Sequence, residues 1–113
     1  LAQCIELAEA KAQSLGFNCP LVGHVGDGNF HLMIPYFPDN KDQVSAANEL
    51  SHYLVQQALA LEGTCTGEHG IGLRKKAYLL EEHGAQAVNT MALIKRALDP
   101  KNIMNPGKIF DLY

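Results

Sequence analysis

Two short runs concentrate the residue types that form sites. Gly23-His24-Val25-Gly26-Asp27-Gly28-Asn29-Phe30-His31 sets two imidazoles among glycines, and Thr66-Gly67-Glu68-His69-Gly70-Ile71-Gly72 sets a carboxylate beside a third. Glycine admits close approach of backbone to a ligand and φ values closed to other residues. Two neutral imidazoles and one carboxylate are a ligand set for zinc or manganese that leaves positions open for water or substrate. His24, His31 and Glu68 are therefore the candidate metal ligands. His69 follows Glu68 directly. In an extended segment the two side chains would diverge, whereas a turn between glycines would let both face one cavity. An imidazole titrates near neutrality and suits the removal of a proton from a metal-bound substrate oxygen, which gives His69 the role of base.

A plainer reading stands beside each assignment. His24 and His31 could be a cross-strand pair next to an ordinary turn, and Glu68 a carboxylate capping a helix. Asp27 and Asn29 are turn formers by type. His52 and His83, in helical or helix-end contexts, read as satisfied polar residues. Lys75 and Lys76 after Arg74 read as a solvated helix face, and Asn105-Pro106-Gly107-Lys108 as a turn.

The elements that must position these groups follow from periodicity. Apolar Ile5, Leu7, Ala8, Ala12 and Leu15 predict a helix over residues 1–15 that stops at Gly16. Leu21 to Val25 and Phe30 to Phe37 are apolar runs of strand length separated by Gly26-Asp27-Gly28-Asn29, which is turn chemistry. The expected hairpin brings His24 and His31 opposite each other and within reach of one ion. Pro35, Pro38, Asp39 and Asn40 end the second strand. Val44, Ala47, Leu50, Leu54, Ala58 and Leu61 then mark an amphipathic helix over 44–61. Residues 63–67 are read as a short extended segment, 71–82 and 85–98 as two helices, and 102–110 as a tail of the ordered kind that docks. The class is α+β, an antiparallel sheet covered by helices on one face.

The chain has 113 residues, enough for one domain with a modest core. With 47% hydrophobic and 19% charged residues it has a globular composition. A net charge of −3 supplies no basic stripe, which excludes nucleic acid and an anionic membrane surface as expected partners. No apolar run approaches the ~20 residues of a membrane helix. Cys4, Cys19 and Cys65 are odd in number and contain no C-x-x-C pair, so a reducing cytosol fits better than a disulfide framework. The start at Leu1, without Met and directly in a helical pattern, suggests a piece of something longer.

Three motifs in order carry a resemblance: Gly-His-Val-Gly-Asp-Gly-Asn-Phe-His from Gly23, Gly-Glu-His-Gly-Ile-Gly from Gly67, and Lys95-Arg96-Ala97-Leu98-Asp99-Pro100 running into Asn102-Ile103-Met104-Asn105-Pro106-Gly107-Lys108-Ile109-Phe110. Over about Gly23 to Phe110 the chain resembles the C-terminal domain of FAD-linked oxidases, in the branch of D-lactate and D-2-hydroxyglutarate dehydrogenases and the glycolate oxidase flavoprotein subunit. The resemblance implies that residues 1–113 are the C-terminal part of a ferredoxin-like cap with a closing tail at 102–113, and that an N-terminal FAD domain lies outside this chain. It implies a divalent metal, zinc or manganese, on His24, His31 and Glu68, with His69 as base, in agreement with the residue chemistry. It also implies a flavin-side contact at Asn105, a D-2-hydroxy acid as substrate, and an unidentified electron acceptor through which a cytoplasmic protein could associate with a membrane. Asn29 is expected to orient the site or its turn. Met33 stands where hydroxyglutarate-type members carry a polar residue, which tilts the expected substrate toward D-lactate. An exposed sheet edge or apolar face could remain where absent portions pack, and could support dimerisation. Two other readings stay open: a small zinc hydrolase on the same ligands, and a module that only packs against a partner domain.

Overall fold

A computed structural model describes residues 1–111; residues 112 and 113, the last two of the expected closing tail, lie outside the described residues. The chain divides into two compact units, Leu1–Gly63 and Thr64–Tyr113, where length and composition suggested one. The division follows the end of the longest helix of the first unit. There Glu62 takes φ 59° and the Gly63 N–H bonds back to the Ala58 carbonyl at 2.8 Å. An added Cβ at Gly63 would lie 2.9 Å from that oxygen, so the reversal needs glycine.

The first unit is a helix pair with a hairpin. Helix α1 spans Ala2–Ser14 and buries Cys4, Ala8 and Ala12 at four-residue spacing. Its end is the expected one, with Gly16 at φ 78°. Helix α2 spans Lys41–Ala60 and buries Ala47, Leu50 and Val55. It starts three residues before the expected position because Asn40 caps it, accepting from the Gln43 N–H at 3.1 Å. Asn-x-x-Gln is a legible capping pattern. The core joins Ala12, Phe17, Ala47 and the fully buried Leu50, with Leu32 and Ile34 from the hairpin side packed against it. The hairpin meets the helices at its Leu32 end, and the class is α+β.

Strand β1 covers Leu21–His24 and β2 covers Asn29–Leu32, antiparallel, joined by the 3-10 turn Val25–Asp27 and by Gly28 at φ 71°. The second strand is shorter than the apolar run to Phe37. Its last rung is the Met33 N–H to the Pro20 carbonyl at 3.0 Å, and Pro35 beyond has no N–H to offer. Ile34 turns to the core instead. Gly23 pairs with Phe30, and an added Cβ there would lie 2.4 Å from the Asn29 carbonyl oxygen and 2.6 Å from the Phe30 Cα. Both obstacles are backbone and cannot swing aside. Gly23→Ala should therefore cost about 1–3 kcal/mol through forced displacement of the pair. A Tm equal to that of the unchanged full-length protein would contradict this close approach.

The second unit holds α3, Lys76–Leu98, broken at Gly84 (φ 76°, ψ 163°) into the two helices that periodicity indicated. Its first half starts at Lys76 rather than residue 71, because Gly70 and Gly72 (φ 72° and 56°) hold 68–75 in turns. Cys65, Leu79 and Ala92 are buried, whereas Leu93, Ile94, Leu98, Ile103 and Met104 are exposed. The three cysteines are free thiols.

Candidate functional site

The hairpin register decides where the first motif's side chains go. His24 pairs with Asn29, and His31 with Val22. Side chains alternate along each strand, so Val22, His24, Asn29 and His31 share one face and Leu21, Gly23, Phe30 and Leu32 the other. The imidazoles are therefore diagonal neighbours rather than directly opposite, a correction to the expected pairing. The turn takes up Val25 as well, which moves the register so that His24 meets Asn29. The diagonal still brings the rings together: their centroids lie 6.5 Å apart, edge to face at 86°. Asn29 is a strand residue opposite His24, not only a turn former.

Two imidazoles sharing a tetrahedral ion on metal–nitrogen bonds of ~2.0–2.1 Å have centroids ~5 Å apart. The observed separation, 6.5 Å, is wider than that by about the reach of a side-chain rotation. The two imidazoles are donors of the type a divalent ion takes, and they stand on one face of the hairpin. Within the second unit, Glu68 and His69 are the central residues of a turn closed by the Gly70 N–H to the Gly67 carbonyl at 3.2 Å. The turn makes the side chains converge: His69 Nε2 lies 3.6 Å from Glu68 Oε1, and the imidazole is 80% exposed. No helix starts within this turn, which removes the capping reading of Glu68. Among the described residues, neither unit by itself gathers three or more His, Cys, Asp or Glu side chains in a metal-holding cluster. The expected ligand set draws on both units. His52 is exposed on α2, and His83 Nε2 lies 3.5 Å from Glu82.

The basic run is not a solvated helix face. Lys75 Nζ donates to the Cys65 carbonyl at 2.7 Å, and Lys76 Nζ to the Gly107 carbonyl at 3.3 Å and to Asp111 at 2.7 Å. These lysines tie the tail and the segment around Cys65 to the start of α3. The tail docks within its own unit, where the Ile109 N–H donates to the Gly72 carbonyl at 2.8 Å. Asn105 opens the 105–108 turn at φ 46°, exposed, with Gly107 at φ 72°.

Asp99, read from sequence only as part of a helix stop, organises that tail. Its carboxylate is 5% exposed and accepts the Ile103 and Met104 N–H groups at 3.1 and 2.9 Å. Lys95 bridges it to the Met104 carbonyl. The Lys95 bond, with the two amides, holds Asp99 below the ordinary aspartate value of 3.8 against the opposing effect of desolvation. A depressed folded value contributes stability that is present above the unfolded pKa and lost as pH falls through the folded one. The Tm difference between the unchanged protein and Asp99→Asn should therefore be full at neutral pH and shrink below the ordinary aspartate range. A difference independent of pH down to that range and beyond would contradict the charged staple.

The family described as FAD linked oxidases, C-terminal domain, matches residues 1–109, and this chain belongs to it. A probable mitochondrial D-lactate dehydrogenase of Danio rerio is 48% identical over 94% of this chain and 22% of its own length. A mitochondrial D-lactate dehydrogenase (cytochrome) of Arabidopsis thaliana is 44% identical over 96% of this chain and 19% of its own. A D-2-hydroxyglutarate dehydrogenase of Xanthomonas citri is 37% identical over 86% of this chain and 21% of its own. The chain spans about one fifth of the length of these curated relatives. The mitochondrial names give no support to the cytosolic setting read from the cysteines, and no described helix is long and apolar enough to cross a membrane.

Proposed function

We propose that this chain is the C-terminal part of a flavin-dependent dehydrogenase that oxidises a D-2-hydroxy acid, with D-lactate favoured, to the 2-oxo acid. The observation that carries the reading is the shared hairpin face, where His24 and His31 stand with ring centroids 6.5 Å apart in a chain of this family. The higher identity to D-lactate dehydrogenases than to the hydroxyglutarate relative favours the smaller acid, as does apolar Met33. Family membership also favours the oxidase over the zinc-hydrolase and packing readings.

When bound, FAD supplies a hydride acceptor and a divalent zinc or manganese ion a Lewis acid for the substrate's carboxylate and hydroxyl oxygens. In this reading His24, His31 and Glu68 hold the ion, and Asn29, opposite His24, orients its side of the site. An imidazole nitrogen of His69 takes the hydroxyl proton. The α-carbon then releases its hydrogen with the electron pair, leaving the 2-oxo acid. Asn105 contacts the flavin side, where the exposed Leu98, Ile103 and Met104 would pack against the FAD-binding portion of the polypeptide. The acceptor that reoxidises the flavin has the character of a cytochrome, as in the Arabidopsis relative's name.

The test is the anaerobic visible spectrum of the full-length protein before and after adding D-lactate, D-2-hydroxyglutarate or glycolate. Bleaching of a flavin band fastest with D-lactate is the expected result. A colourless protein would remove the flavin reading, and a flavin untouched by all three acids would remove these substrates.

A further inference from the structure

The turn that carries Glu68 and His69 is held from behind by groups that its own motif does not include. Cys65, three residues before Glu68, is buried and bonded at both of its backbone groups. Its N–H donates to Glu82 Oε2 at 2.9 Å, and its carbonyl accepts from Lys75 Nζ at 2.7 Å. The same Glu82 oxygen accepts from Thr64 Oγ1 at 3.1 Å. Beyond the turn, the Gly72 carbonyl is fixed by the Ile109 N–H at 2.8 Å. Residues 66–71 are therefore a short loop with both ends anchored, closed in the middle by the bond from Gly70 to Gly67.

The Cys65 thiol is not itself a nucleophile. Burial and the Glu82 carboxylate push it up to about 11, so it stays protonated at ordinary pH. Glu82 stays ionised: burial works against its charge, but the bonds from Cys65 and Thr64 hold it below its ordinary value of 4.5. An ionised acceptor makes these bonds stronger than neutral ones. The pairing thus places a carboxylate on the peptide unit before the Cys65 Cα and an ammonium on the one after it.

Resting on the assignment of Glu68 and His69 above, we propose that Glu82 and Lys75 are positioning residues for that pair, clasping Cys65 so that the turn presents the carboxylate and imidazole at a fixed height. Neither touches substrate. Their effect passes through the backbone of residues 65–70, and a displacement of about 1 Å at a reacting group can cost of the order of 10²-fold in rate.

The experiment compares Glu82→Ala, Glu82→Gln and His69→Ala in the full-length protein, by anaerobic flavin reduction with D-lactate and by hydrogen exchange at residues 66–70. Glu82→Ala should slow reduction at saturating substrate by about 10²-fold, with the half-saturating concentration little changed. Glu82→Gln, whose amide oxygen still accepts from Cys65 and Thr64, should recover most of the rate. Exchange at 66–70 should rise in Glu82→Ala only. Unchanged exchange in Glu82→Ala, or equal losses in the Ala and Gln variants, would overturn the clasp. If His69→Ala reduces flavin normally, the base assignment fails, and exchange at 66–70 alone decides the clasp. Should Glu82→Ala not fold, Lys75→Met releases the carbonyl side and must show the same rise in exchange.

Discussion

Replacing His69 with Ala in the full-length protein is expected to slow flavin reduction by about 10²–10⁴-fold, the usual contribution of a positioned base, while bound metal stays in place. The substitution is a clean one for this chain. His69 lies at the third position of the Gly67–Gly70 turn and is absent from the positive-φ residues, so Ala fits its backbone without strain. Its side chain is largely exposed and meets Glu68 at 3.6 Å, so no core packing is lost with it. The remaining hydroxy acid would have to lose its proton to water, which is neither held in place nor matched in basicity. Rapid anaerobic mixing with D-lactate gives the rate, and elemental analysis of the same sample gives the metal. Loss of both together would make His69 a ligand rather than a base, and an unchanged rate would remove it from the chemistry.

Much of this arrangement was legible in the sequence where local chemistry decides it. The α1 stop at Gly16, the hairpin around Gly28 and the break at Gly84 all rest on residues that take a conformation others avoid. The convergence of Glu68 and His69 was legible as an alternative, since glycines on both sides favour a turn over a strand. What could not be read depends on partners distant in sequence. The hairpin register turns on whether Val25 joins the strand or the turn, and the outcome moves the partner of His24 two places, from His31 to Asn29. Lys75, Lys76 and Glu82 look like any charged helix face until residues 10 to 35 positions away are seen to bond them. Asp99 hid behind Pro100 as a helix stop, although Asp at the head of a non-helical tail is also the residue type that accepts from the N–H groups of a following turn.

If the shared face of the hairpin holds the proposed ion, His24→Ala and His31→Ala should each empty that site. Removing even an outer partner of a metal ligand typically costs about 10–100-fold in affinity, so loss of a coordinating imidazole should exceed that range and leave the purified full-length protein without stoichiometric metal. Both positions tolerate the change structurally. They lie on the face away from Leu32 and the core, so truncation opens no cavity among Ala12, Phe17, Ala47 and Leu50. Stability should then change little, in contrast to Gly23→Ala, which acts on the other face of the hairpin through a backbone collision. Glu68→Gln should lose metal as the histidine variants do, because a neutral amide is a weaker ligand for a hard divalent ion than a carboxylate. His52→Ala, on the exposed side of α2, is the matched control and should retain metal and rate. The decisive comparison is between His24→Ala and Glu68→Gln, which sit in different compact units. Loss of metal in both would support His24, His31 and Glu68 as one ligand set. Full metal content in both would overturn the ligand set, and loss in the histidine variants alone would leave a hairpin site that Glu68 does not complete.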